Sequence, residues 1–381
     1  MTIYKLALQL GLALLCAATA MTVTAGPTAE AKALIKEMQL RSAPQAISKN
    51  PAWNPRRVVV ALPAFFSQQL PGFEEQLSDA AGEVELVFDR SNNFMPSAES
   101  INGADAILGM CFAPTVTAAK DSLLWFHSLF VGMDRCMGLS DQQLNEVTFT
   151  NTKRLSGPSI AEHSIAMMMS LARGLPAYQL AQADSQWQQN LAGASRFGEL
   201  NGKTILVVGL GGIGTQIAWR AHGLGMRVIA TRNSSREGPD YVDYVGLADE
   251  LHTLAGKADV IVNALPLTAQ TTGLFDKEFF ASSKKGALFL SVGRGKSTVT
   301  ADLISALESG QIFGAGLDVT DPEPLPADSQ LWQMDNVIIT PHISAVTQES
   351  LRRNAILTVE NVRRYVAGEA LLNIVDMRRG Y

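Results

Sequence analysis

From about residue 57 onward the chain alternates short, almost wholly apolar runs with longer stretches whose apolar positions recur at helical spacing. "RVVVALP" (57–63), "VELVFD" (84–89), "ADAILGM" (104–110), "LLWFHSL" (123–129) and "EVTFTN" (146–151) have the β-branched and aromatic content of strands. Segments 73–82 and 114–121 between them have helical character. A second series predicts strands at 204–210, 226–231, 258–265, 286–292, 314–319 and 336–341. Apolar strands alternating with helices belong to parallel sheets covered on both faces, so the pattern predicts an α/β fold with two doubly wound parallel-sheet domains. Joining the two series, 156–187 reads as a helical stretch, with Ser156 or Ser159 available as a cap and Pro158 near the first turn. A second long helix is expected over about 346–367.

Length and charge narrow the partners. At 381 residues the chain is long for one core, and a net charge of −5 does not suit a polyanion partner. Arg352, Arg353, Arg363 and Arg364 read as the solvated face of the last helix, so no nucleic-acid partner is expected. Lys5, the apolar run that follows it and the small-residue exit Val23-Thr24-Ala25 describe a secretory signal peptide over 1–25, with a second exit at Ala20. The expected location is therefore the periplasm or the exterior, or the cytoplasm if that leader does not function. An uncleaved leader is the only membrane contact expected. Without the leader, Cys111 and Cys136 remain, and their pairing is left open. No cysteine–histidine spacing suggests a metal site.

"TILVVGLGGIGTQIAWRA" sets Gly209, Gly211 and Gly214 in G-x-G-x-x-G register between a strand and a helix. Such a turn, with Gly212 and Ile213 in the helix's first turn, presents N–H groups and the helix dipole to a dinucleotide pyrophosphate. Versions that bind NAD place an acid at the end of the next strand, on the ribose 2′-hydroxyl. This chain has Thr231, Arg232 and Asn233 there, followed by Ser234, Ser235 and Arg236. An arginine meets a 2′-phosphate through charge-assisted bonds worth about 1.5–3 kcal/mol each. The expected cofactor is therefore NADP, with NAD as the alternative; a solvated loop arginine is the plainer reading of Arg232.

Three further stretches place a polar residue beside Gly or Pro just past an apolar run: "SVGRGK" with Arg294, "LDVTDPEPLP" with Glu323, and "ITPHIS" with His342. Open α/β sheets bind ligands beyond the carboxyl ends of their strands. There an arginine fork can hold a substrate carboxylate, a histidine can give or take a proton, and a neighbouring carboxylate favours the imidazolium. Singly, each has an ordinary structural reading. His127, His163, His222 and His252 have no such setting and are read as structural.

In order and approximate spacing, the glycine turn, "LPLTAQTTGLF" (265–275), the Arg-Gly pair, "LDV…PEP" and "TPHIS" resemble the D-isomer-specific 2-hydroxyacid dehydrogenase family over roughly residues 100–370. The resemblance implies that Arg294 binds substrate, that Glu323 pairs with His342 and that His342 is the acid/base. It implies that Asp318 helps hold the nicotinamide carboxamide and that Leu265, Pro266, Leu267, Val292 and Gly293 line the cofactor. It places the substrate carboxylate on backbone N–H groups of "SLFVGMD", hence Val131 and Gly132. It also implies a flavodoxin-like substrate domain (27–154, completed by 344–381), a Rossmann NAD(P)-binding domain inserted at 155–343, hinges near 152–156 and 343–346, and a homodimer built on the helical arm after the first hinge. The Met167-Met168-Met169 stripe there fits interior packing equally well. Ser291 and Thr300 depart from the family's usual asparagine and aspartate, Thr300 remaining able to cap the next helix. The leading expectation is reduction of a small 2-oxo acid such as glyoxylate or hydroxypyruvate. The alternatives are an NAD-linked D-lactate-type dehydrogenase and an exported binding protein without enzymatic activity.

Overall fold

The computed structural model describes residues 26–91, 94–191 and 197–380. The expected leader over 1–25 lies outside the described residues, and no helix among them is long and apolar enough to cross a membrane.

The first sheet comprises β1 (Arg57–Ala61), β2 (Glu85–Asp89), β3 (Ala106–Gly109), β4 (Trp125–Ser128) and β5 (Thr148–Thr150). Its order is β2-β1-β3-β4-β5, and every pairing is parallel. The second sheet comprises β6 (Thr204–Val208), β7 (Arg227–Thr231), β8 (Tyr244–Gly246), β9 (Val260–Asn263), β10 (Ala287–Ser291), β11 (Ile312–Leu317) and β12 (Val337–Ile339). These strands are also all parallel, in the order β12-β11-β10-β9-β6-β7-β8. Each expected strand is present, and β8 is an addition that the pattern did not single out. The strand order reverses between β6 and β9, which opens a crevice above β6, where the glycine turn lies.

Solvent is excluded from both faces of the central strands, so their apolar runs are continuous rather than alternating. Val207, Val262, Leu288 and Leu290 face a core shared with the helix Gly157–Ala172, whereas Leu206, Ile261 and Phe289 face Phe275, Phe279 and Leu303 on the other side. Met167 and Met168 lie in the first of these cores, and Met169 is exposed. The helical stretch expected over 156–187 is two helices. Gly157–Ala172 ends at Gly174, whose φ of +62° is left-handed, and Leu175–Ala183 continues beyond it. Ser156 occupies the N-cap position without a side-chain cap bond, and Ser159 instead pairs its hydroxyl with Thr347 at 3.0 Å.

The chain leaves the first sheet after β5 and returns to it as the helix Gln348–Val366, capped by Thr347. Ala355, Val362 and Tyr365 of that helix pack with Val58, Leu77 and Trp125. The Tyr365 hydroxyl donates to Asp105 Oδ1 at 2.8 Å, and Asp105 Oδ2 accepts the Arg56 and Arg57 N–H groups. The buried carboxylate is thus fully partnered, as burial requires. Cys111 and Cys136, left open above, form a disulfide with a Cα separation of 5.3 Å.

Candidate active site

Parallel strands point their carboxyl ends the same way, and the neighbours β10, β11 and β12 place Arg294, Glu323 and His342 just past those ends. His342 Nδ1 donates to the Glu323 carboxylate, 3.1 Å from Oε1 and 3.2 Å from Oε2. This bond fixes the tautomer and leaves Nε2 without a partner among the described residues. Both side chains are roughly half exposed, at 43% and 45%.

The His342 backbone is held in the left-handed region, with φ +54°. Its N–H donates to the Asp318 carbonyl, and the next two N–H groups, of Ile343 and Ser344, donate to the Asp318 carboxylate at 3.0 and 3.1 Å. Thr340 Oγ1 donates to the same carboxylate at 2.7 Å and pairs with His163 Nε2 at 2.9 Å. Asp318 is 1% exposed, and its bonds run to the histidine turn. The buried Asp318 and the partly buried Thr340 and His163 therefore form a support beneath His342, a setting that sequence reasoning did not find for His163.

Arg294 reaches across to the other sheet. Its Nη1 donates to the Gly293 carbonyl at 2.8 Å and its Nε to Asp134 Oδ1 at 3.1 Å. The guanidinium lies directly on Gly132, where an added Cβ would come within 1.7 Å of Nη2, so a side chain there would displace Arg294 from this position. Among the described residues, neither the Val131 N–H nor the Gly132 N–H has an acceptor, and the Val131 carbonyl takes the Asn151 amide at 2.6 Å. Burial alone would raise the Asp134 carboxyl, but the Arg294 guanidinium beside it more than offsets this and holds it below the usual carboxylate range. Asp134 was not singled out in the sequence, although it closes the stretch that supplied Val131 and Gly132.

The glycine turn fits a dinucleotide. Gly209 has φ +97°, and an added Cβ on Gly214 would come within 2.1 Å of the Gly209 carbonyl, so helix and strand close tightly. A Cβ on Gly211 would meet nothing within 4 Å, which leaves open space in front of the first N–H groups of the helix Gly212–Gly223, those of Gly212 and Ile213. On the other wall the Gly293 backbone lies against Leu265, beside Pro266 and the buried Val292. Ser291, at a departure from the family, accepts from Asn263 Nδ2 at 3.0 Å and so joins β9 to β10. Thr300 does not cap its helix; its hydroxyl donates to the Asp321 carbonyl at 2.6 Å and ties that helix to the Glu323 loop.

At the end of β7, beyond the buried Thr231, Arg232 Nε donates to the Leu210 carbonyl at 3.1 Å and Nη1 to the Glu237 carbonyl at 3.0 Å. Asn233 follows directly. Arg236, which follows on the same loop, is paired with Glu250 at 2.7 Å. Positive charge comes instead from Arg154, which packs on Gly212, and from Arg41. Burial, together with the like charges of Arg41 and Arg232, lowers the pKa of Arg154. Among the described residues no group of His, Cys, Asp and Glu is arranged to hold a metal ion.

Comparisons with known proteins bear on the family of the whole chain. The sequence profile described as D-isomer specific 2-hydroxyacid dehydrogenase, NAD binding domain, matches residues 165–344. A glyoxylate/hydroxypyruvate reductase B of Citrobacter koseri is 31% identical over 285 residues, 73% of this chain and 86% of that protein. A D-isomer specific 2-hydroxyacid dehydrogenase of Xanthobacter autotrophicus, solved with NADPH and MES, superposes with a TM-score of 0.70 at 28% identity, covering 86% of this chain and 100% of the other. An NADPH-dependent glyoxylate/hydroxypyruvate reductase of Sinorhizobium meliloti, solved with NADP and sulfate, gives a TM-score of 0.69 at 26% identity, covering 86% and 100%. The chain therefore belongs to the D-isomer specific 2-hydroxyacid dehydrogenase family and is an NAD(P)-dependent enzyme acting on a small hydroxyacid.

Proposed function

We propose that this enzyme is an NADP-preferring reductase of small 2-oxo acids of the glyoxylate or hydroxypyruvate type, with Arg294, Glu323 and His342 as its catalytic groups. The observation that carries the reading is the placing of Arg294 Nη2 over Gly132, on the loop that carries the acceptor-free N–H groups of Val131 and Gly132, together with the histidine–glutamate pair at the strand ends of the same sheet as Arg294. Donors of this kind suit a carboxylate, and a guanidinium beside them polarises the adjacent carbonyl. His342 Nε2 then delivers a proton to the carbonyl oxygen, while Glu323 keeps Nδ1 protonated and stabilises the imidazolium. NADPH, when bound, supplies the hydride.

Preference for NADP is supported by Arg232 at the strand end where an acid would repel a 2′-phosphate, and by the added charge of Arg154 and Arg41. The Sinorhizobium relative, which is NADPH-dependent, points the same way. Export is supported by the leader-like residues 1–25 and by the Cys111–Cys136 disulfide, a bond that persists in oxidising compartments. A homodimer is supported by the exposed apolar side chains Leu175, Leu180 and Trp187 along and beyond the second helix of the arm. Steady-state assays of protein lacking residues 1–25, with NADPH and NADH against glyoxylate, hydroxypyruvate and pyruvate, test the reading. The highest kcat/KM is expected with NADPH and glyoxylate or hydroxypyruvate. A preference for NADH with pyruvate would replace this assignment by a D-lactate-type one.

A further inference from the structure

We infer that Asp134 is a positioning residue for Arg294 and that the Cys111–Cys136 bridge holds Asp134 in place, so that affinity for a substrate carboxylate follows the redox state of the bridge. The inference rests on the proposed role of Arg294 as the carboxylate clamp.

A guanidinium on a long flexible stem has many orientations, and only a few present its donors to one point. Here two of its edges are fixed. Asp134 Oδ1 takes the Nε proton at 3.1 Å, and the Gly293 carbonyl takes an Nη1 proton at 2.8 Å. The remaining nitrogen, Nη2, is thereby set over Gly132, on the loop that carries the acceptor-free N–H groups of Val131 and Gly132. The Gly293 bond is local to the arginine's own loop. The Asp134 bond spans 160 residues and comes from the other sheet, so it alone sets Arg294 relative to those N–H groups.

Asp134 is itself held from one side. It opens the short 3-10 turn Asp134–Cys136, whose last residue is fully buried and joined to Cys111, just past the end of β3. Arg135, between them, lays its guanidinium over the Phe112 ring, 5.5 Å from its centre, next to Cys111. Residues 129–136 are thus anchored by β4 at one end and by the bridge at the other, with Gly132 and Asp134 between the anchors. Reduction by a dithiol breaks the S–S bond, gives each cysteine sulfur one electron and one proton, and leaves the dithiol as its cyclic disulfide. The second anchor is then lost while the strand and the cofactor turn are untouched.

The test compares Asp134→Asn, Asp134→Glu, Arg294→Gln, Cys136→Ser and dithiol-reduced wild-type enzyme, reading KM and kcat for glyoxylate and, separately, NADPH affinity by fluorescence titration. Asp134→Asn, Cys136→Ser and the reduced enzyme are each expected to raise KM by about tenfold, the effect of one misplaced charge-assisted bond. The effect on kcat should be smaller and NADPH affinity unchanged, with Asp134→Glu restoring part of the loss and reoxidation reversing the effect of the dithiol. A general loss of fold would move NADPH affinity and the melting temperature as well, and that result would assign the bridge to stability and overturn its proposed role. An unchanged KM in Asp134→Asn, with KM raised in Arg294→Gln, would overturn the inference alone. An unchanged KM in Arg294→Gln would overturn the clamp itself.

Discussion

Arg232 and Arg294 are two guanidiniums in different surroundings, and each is held by main-chain carbonyls before any ligand arrives. Preorganisation of this kind lowers the entropy lost on binding. Arg232→Asp should therefore remove most of the NADPH preference, about tenfold to a hundredfold, because it deletes a charge-assisted contact and adds a repulsive one. Paired titrations with NADPH and NADH would show it, and an unaltered ratio would return Arg232 to the status of a loop residue. Glu323→Gln should lower the rate of reduction by about tenfold or more, since His342 Nδ1 loses the carboxylate that orients it. A single-turnover rate equal to that of the parent would exclude that role. The placing of Arg294, Glu323 and His342 past the strand ends was legible because each follows an apolar run and sits beside Gly or Pro. Asp134 was not, because its meaning lies in a partner 160 residues away that no local pattern points to.

The strands were legible almost in full because burial on both faces forces continuous apolar runs. The short edge strand β8 escaped notice because three residues, one of them glycine, carry no periodicity. The break at Gly174 was equally hidden, since apolar spacing continues across it and only the left-handed backbone marks the end of the first helix. On β4, His127 is fully buried, with Nδ1 2.8 Å from Thr150 Oγ1 and Nε2 3.2 Å from Thr358 Oγ1. It therefore joins the sheet to the helix Gln348–Val366. Burial pushes its pKa down from 6.5 to about 3, so the unfolded chain takes up a proton that the folded chain refuses. Its contribution is fully present above about 6.5 and is lost as pH falls toward 3, at about 1.4 kcal/mol per pH unit while one proton separates the two states. Melting curves across that window should fall with acid in the parent and fall less steeply in His127→Gln. Equal slopes would show that this histidine is protonated in the folded protein.

At the scale of the molecule, two parallel sheets meet so that residues from both complete one site, with Gly132 and Asp134 from the first and Arg294 from the second. Alternation of strands and helices made the two-sheet architecture legible, but the meeting of the sheets depends on tertiary placement and emerged only with the structure. If Leu175, Leu180 and Trp187 mark a face between two copies, Leu180→Glu should shift the mass measured by light scattering from dimer to monomer, and a parent that is already monomeric would refute that face. The central claim is that His342, oriented by Glu323, supplies the proton in reduction. Its most direct test is single-turnover reduction of glyoxylate by His342→Ala with NADPH already bound, alongside a titration showing that the cofactor still binds. The rate should fall by about 10²–10⁴-fold, the usual scale of general acid–base catalysis, with NADPH affinity retained. A variant that binds NADPH and turns over at the parental rate would contradict the account.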